Sequence, residues 1–239
     1  MTSTLSNVSP VHGGLSEPVN RIDPSATSET GLPTVEVQDV DHTTLYRIAD
    51  GTLSPLEGPM GEKDYNDVLA KGAIERNGGA WAWTIPVILP VTDAEAALCA
   101  VGAKISLVHG GSAFGTLEVD SVFDWDKDAF IKTVYRTERT DHPGARLWTS
   151  DERTKLVGGT ICLLPSEDTR SFAERVMSPN QTRALVAEQG WEQSIAFQTR
   201  NPLHRAHEYA LVYGAETILR ANGKRTGVVL NPLVGQLKG

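Results

Sequence analysis

Positive charge is scarce in this chain, cysteine nearly absent, and long apolar runs do not occur. Its 239 residues carry 22 Lys and Arg against 30 Asp and Glu, a formal net charge of −8 at pH 7. A general nucleic-acid binder needs a basic face to release counterions from phosphates, so that class is disfavoured. No apolar stretch reaches the roughly eighteen residues of a membrane span. The N-terminus also lacks a charged segment followed by an apolar one, as a secretory signal would have. A cytoplasmic protein with no membrane or nucleic-acid partner is therefore expected. Cys99 and Cys162 fit no disulfide or metal spacing and read as small buried hydrophobes. Missing too are the glycines of the G-x-x-x-x-G-K-[ST] and G-x-G-x-x-G cradles, which excludes P-loop and Rossmann dinucleotide sites. No G-x-S-x-G elbow occurs, so covalent catalysis has no support.

What is present divides the chain in two. By composition, residues 1–34 read as a disordered lead rich in Ser, Thr, Pro and Gly. From Val35 to about Pro165, short β-branched runs end at Gly, Pro or Asp: TVEVQDV, TIPVILPV, KISLVHG, GTLEVDSVF and LVGGTICLL. One helical insertion is expected over Asp126 to Val134, from Phe130, Ile131 and Val134 at helical spacing. The result is a β-rich domain over 1–168, compatible with a barrel. Over 169–239 the pattern changes. Ser178 reads as an N-cap with Pro179 at the first helical position and Gln181 completing a capping box. Gly190 should end that helix. SIAF then reads as a buried strand, residues His204 to Ala221 as a helix stopped by Asn222-Gly223, and GVVLN as a second strand. Strand, helix, strand makes a βαβ unit, the start of a parallel α/β sheet. The overall class is α+β passing into α/β.

Between that strand and helix lies QTRNPLHRAHE, Gln198 to Glu208. Open α/β sheets bind ligands beyond the carboxyl ends of their strands, and a helix N-terminus there favours an anion. Arg200 supplies planar donors suited to a tetrahedral oxyanion. Gln198, Thr199 and Asn201 supply neutral donors. His204 and His207, three apart, share one face of the first helical turn and could reach one bound group. A metal would want the i, i+4 pair of H-E-x-x-H and more ligands, and Arg200 and Arg205 repel a divalent cation. Charge agrees: from Gln198 to Gly239 the net is +4, leaving −12 to the rest. A small cationic region on an acidic body suits a small anion. Direct displacement at phosphorus, driven by positioning and charge stabilisation, is the chemistry left.

QTRNPLHRAHE resembles the Q-x-R-N-P-x-H-x-x-H signature of the ATP sulfurylase (sulfate adenylyltransferase) family. PVHGG at Pro10, GTLSPLEGPM at Gly51, WTIPVIL at Trp83, HPGA at His142 and NPLVG at Asn231 resemble further blocks of that family, in family order. The resemblance implies a β-rich PUA-like N-terminal domain followed by a Rossmann-like nucleotidyltransferase domain, here its first βαβ portion. It implies the reaction of ATP and sulfate giving adenosine 5′-phosphosulfate and pyrophosphate by in-line displacement at the α-phosphorus, or the reverse, and with it sulfate assimilation. Carried over by position, Gln198 and Arg200 would hold sulfate, and Gln198, Thr199, Arg200 and Asn201 would line the ATP phosphates. Thr199, Arg200 and Asn201, with His204 and His207 contacting phosphate, would be catalytic. Magnesium would arrive with ATP, without a protein metal site of its own. The resemblance also implies that Pro10 to Arg21 is ordered, leaving only the first few residues loose.

Two departures stand out. Asn231 occupies a position where the family usually has His. A later G-R-D loop, which also contacts nucleotide and sulfate in the family, does not occur before Gly239. The expectation is an N-terminal fragment with little or no activity by itself, exposed apolar surface and homo-oligomeric association. The alternatives are another nucleotidyltransferase, or a non-catalytic PUA-like binding or assembly module with a vestigial site.

Overall fold

The strand signals condense into a mixed sheet, but with more helix between them than their spacing suggests. The computed structural model describes residues 8–137, 139, 141–166 and 172–233. Two units are distinct: Pro10–Glu167, and Asp168–Gly239 together with Met1–Ser9. Among the described residues no helix is long and apolar enough to cross a membrane.

In the first unit, β1 (Thr34–Glu36), β5 (Lys104–His109), β6 (Ser112–Asp124), β7 (Lys155–Leu163) and β4 (Pro90–Val91) form one sheet in that order. β1 runs parallel to β5, and the other pairings are antiparallel. Bulges at Leu107/Val108 and Val119/Ser121 bend the strands, and the order leaves β1 and β4 as edges. β2 (Ala73–Arg76) and β3 (Gly79–Ala82) make a separate hairpin. Ile48, Ile105, Leu107, Leu117 and Leu163 lie in the main core. Tyr65, Trp125, Phe130 and Leu156 form a second cluster.

Several expectations are corrected. TVEVQDV is a strand only to Glu36. Asp39 and Asp41 open α1 (Asp39–Ala49), where Gln38 and Asp41 form a capping box. α2 (Glu62–Lys71), the short α3 (Asp93–Ala96) and α5 (Pro143–Thr149) accompany the expected α4 (Lys127–Tyr135), capped by Asp126. TIPVILPV, with two prolines that cannot donate to a ladder, pairs as a strand only at Pro90–Val91. The lead is ordered beyond the first residues: Val11 bridges Leu15, Ile22 bridges Leu163, and Asn77 Nδ2 donates to the Gly13 carbonyl at 2.9 Å. The expectation that the first few residues are loose falls on 1–7, outside the described residues. Cys99 is buried, but Cys162 is exposed: on β7 it alternates with Ile161 and Leu163, which take the core face.

The glycines of GTLSPLEGPM and LVGGTICLL answer one another. A Cβ on Gly58 would lie 1.8 Å from the Gly159 carbonyl oxygen, and one on Gly158 2.4 Å from the Gly61 Cα. Two backbones cross at contact distance there. The Gly159 and Ile161 N–H groups donate to the Pro59 and Glu57 carbonyls at 3.2 and 2.9 Å.

The second unit follows the expected order of elements, but SIAF, expected as a buried strand, alternates exposed and half-buried residues, with only the helix that follows it packed on one of its faces among the described residues. Ser178 caps α6 (Pro179–Glu188), the Ser178–Gln181 capping box forms, and Gly190 takes φ +62° just past the helix end. β8 (Gln193–Thr199) and β9 (Thr226–Pro232) pair in parallel, with α7 (Arg205–Asn222) as the crossover. Gly223, at φ +69°, terminates α7. His207, Leu211, Gly214, Ala215 and Ile218 form the half-buried stripe of α7 at helical spacing. At Gly214 the helix comes so near the sheet that a Cβ would sit 2.4 Å from Ile195 Cδ1.

Candidate functional site

Strand alternation decides which groups can meet at the β8 end. Ile195, Phe197 and Thr199 are half-buried and Ser194, Ala196 and Gln198 exposed. Ile195 approaches Gly214 and Phe197 packs on His207, ring centroids 5.3 Å apart, so the half-buried set faces α7. Gln198 therefore lies on the other face of the sheet, in register with Asn231 of β9. The position where this chain departs from the family's usual His is thus brought beside a residue expected to hold sulfate.

Thr199 closes the strand. Its carbonyl accepts from the Leu233 N–H at 2.8 Å, extending the β8–β9 pairing. Its hydroxyl accepts from the Asn201 N–H at 3.0 Å and donates to the Asn201 carbonyl at 3.2 Å. That tight turn, with Pro202 restricting the backbone next to it, orders the loop bearing Arg200 and Asn201. Both side chains are exposed. Among the described residues neither Arg200 nor Arg205 has an ion-pair partner, so both guanidinium groups are free to meet an anion.

His204 is the N-cap of α7, in extended conformation at φ −143°, and His207 is its third helical residue. The pair forms a reciprocal capping box from imidazoles instead of the usual hydroxyl and carboxyl groups. His204 Nδ1 accepts from the Ala206 N–H at 3.3 Å, and His207 Nδ1 accepts from the His204 N–H at 3.4 Å. The ring centroids stand 3.9 Å apart. Eighteen residues of α7 place the positive end of a helix dipole at this point. A largely apolar groove of about 470 Å³ runs from the site, lined by Leu203, His204, Arg205 and Val228 among others.

The structure therefore gathers Thr199, His204 and His207 on the α7 side of the sheet and Gln198 with Asn231 on the other, the Arg200–Asn201 turn lying between. Two contributors escape a sequence reading. Phe197 orients His207, and its only signal is its two-residue spacing from Thr199. The Leu233 N–H fixes the strand end through a backbone bond that no side chain announces. What the arrangement can do is bind and polarise an anion; no nucleophile–base pair forms within it.

A family model described as PUA-like domain matches residues 9–166, and one described as ATP-sulfurylase matches residues 173–239. The sulfate adenylyltransferase of Pyropia yezoensis is 60% identical over 98% of this chain and 57% of its own length. That of Synechocystis sp. is 35% identical over 100% of this chain and 59% of its own. The chain thus spans a little under three fifths of these curated relatives. Among solved structures, a hexameric APS kinase from Thiobacillus denitrificans superposes with a TM-score of 0.64 at 20% identity, covering 96% of this chain and 48% of that one, a likeness of fold.

Proposed function

We infer, because this chain belongs to the ATP-sulfurylase family and carries a PUA-like domain ahead of its sulfurylase residues, that residues 198–207 supply the phosphate-facing part of a sulfate adenylyltransferase site. The observation carrying this reading is the start of α7: two imidazoles sharing a capping box at the positive end of the helix dipole, with Arg200 and Arg205, which have no ion-pair partner among the described residues, beside them in the chain. Sulfate is a weak nucleophile but already an anion at neutral pH, so it needs no general base. A sulfate oxygen attacks the α-phosphorus of ATP while the bond to the β-phosphate bridging oxygen breaks, releasing pyrophosphate. Two obstacles oppose this step: the approach of two anions, and charge growing on the leaving group. Arg200 with Gln198 answers the first by holding sulfate. His204 and His207 answer the second at the β- and γ-phosphates, with Thr199 and Asn201 fixing the loop. Magnesium would come with ATP and would offset charge on its phosphates, alongside the donors of His204 and His207. Cytoplasmic placement, homo-oligomeric assembly and a part in sulfate assimilation belong to the same proposal.

The test is sulfate-dependent pyrophosphate release from ATP. The 239-residue chain alone is expected to turn over little, since its site residues are mostly exposed and water competes for every donor. A chimera adding the remaining length of the Pyropia yezoensis relative should release pyrophosphate on addition of sulfate or molybdate. Release that ignores both oxyanions would replace this reading with another nucleotidyltransferase activity. Ordinary turnover by the 239-residue chain would show that the described residues already make a complete site.

A further inference from the structure

The reciprocal cap has a chemical consequence for the two histidines. Each Nδ1 accepts a backbone N–H, His204 from Ala206 at 3.3 Å and His207 from His204 at 3.4 Å. A nitrogen that accepts cannot carry a proton, so in the neutral ring the proton must sit on Nε2. Among the described residues neither Nε2 has a hydrogen-bond partner. We propose that the capping box of α7 fixes the tautomer of His204 and His207, with Nδ1 of each ring as acceptor and Nε2 as N–H, so that both present an N–H donor to the same bound phosphate. The proposal rests on the phosphate reading of the site and deepens it: the helix cap regulates the form in which its histidines act.

A hydrogen on Nδ1 of either ring would remove the acceptor of a backbone N–H at the helix start. Donating ability at Nε2 and helix capping therefore stand or fall together.

This tautomer is directly observable. In the 239-residue chain labelled with ¹⁵N-histidine, long-range proton–nitrogen correlation at neutral pH should show both Nε2 atoms as N–H and both Nδ1 atoms as bare acceptors. His204→Asn and His207→Gln assign the signals. These variants also separate the roles, since Asn is a good N-cap and Gln completes a capping box at the third position. Both should keep the helix and the midpoint of thermal unfolding while weakening inorganic pyrophosphate binding about tenfold or more, the loss of one hydrogen bond to a charged group. An Nδ1–H tautomer at either ring, or a fast-exchanging mixture, would overturn the proposal even if pyrophosphate binds. Unchanged pyrophosphate affinity in both variants would overturn the donor role. A fixed Nε2–H pair whose signals ignore pyrophosphate would leave the cap intact and instead sink the phosphate reading beneath it.

Discussion

Replacing Arg153 with Met should cost the first unit a large share of its stability. Arg153 is 6% exposed, and its guanidinium joins the carboxylates of Asp41 and Asp151, whose side chains are largely buried. Nη1 donates to Asp41 Oδ2 at 2.5 Å and to the Pro90 carbonyl at 3.0 Å. Nε and Nη2 donate to Asp151 at 2.9 and 2.6 Å. Met approximates the volume but leaves both acids without their cation. Removing one member of a buried ion pair costs about 3–5 kcal/mol, against a typical total of about 5–15 kcal/mol. With a urea dependence of about 2 kcal/mol per molar, the midpoint should fall by roughly 2 M. Urea unfolding followed by tryptophan fluorescence reads this out. Of the five tryptophans only Trp191 lies outside residues 10–167, so a Trp191→Phe background isolates the unit. The two acids should differ. Burial pushes the Asp41 carboxyl up, further than the bond from Arg153 lowers it. Burial also opposes ionisation at Asp151, but its bonds from Arg153 win and hold it below the usual carboxylate range. Asp151→Asn should thus cost about 2 kcal/mol and Asp41→Asn about 1 kcal/mol or less. The pH signs are opposite. Asp151 contributes stability above its unfolded value that is lost as pH falls through the lower folded one. Asp41, with its folded value raised, favours the fold below its unfolded value and loses that contribution as pH rises through the folded one. A loss under about 1 kcal/mol for Arg153→Met, or a greater cost at Asp41 than at Asp151, would refute this account of the network.

Two further outcomes follow from the geometry. Arg200→Ala should weaken ATP or sulfate binding by the chimera about 10- to 100-fold, with Arg200→Lys restoring only part, because a point charge cannot replace a planar fork; titration calorimetry decides, and full rescue by Lys would remove the directional role. A Cβ at position 227 would lie 2.0 Å from the Trp191 ring, so Gly227→Ala should destabilise the second unit by about 1–3 kcal/mol. Unaltered Trp191 fluorescence and unaltered urea unfolding of that unit would contradict it.

The second unit was largely legible because its signals are local. Ser178, Pro179 and Gln181 mark a helix start within four residues, and Asn222-Gly223 mark a stop. The first unit was less so. α2 shows only Tyr65 and Val68 as buried positions, too few for periodicity to announce it. α1 follows a strand run whose alternation continues through buried Val37, hiding the change at Asp39. At the candidate site, the residue types already pointed to an anion. Which imidazole nitrogen meets the backbone, and that Gln198 and Thr199 serve opposite faces, depend on ring placement and strand alternation in three dimensions. Histidine is also no favoured N-cap, so His204 reads in sequence as helix and not as its lid.

The glycine crossing at β7 bears on how the chain emerges from a ribosome. Ile22, residues 57–61, Leu89 to Val91 and Gly115 to Asp124 of β6 all reach their partners in β7, the final strand of the unit among the described residues. From the end of β6 at Asp124, 39 more residues must be added to complete β7 at Leu163. At about 5–20 residues per second that is roughly 2–8 s of synthesis. For that interval a nascent chain carries four segments whose common docking strand has not yet been made. Closure is then a late, long-range event, so a chaperone that shields nascent chains has its longest window on this unit just before β7 appears.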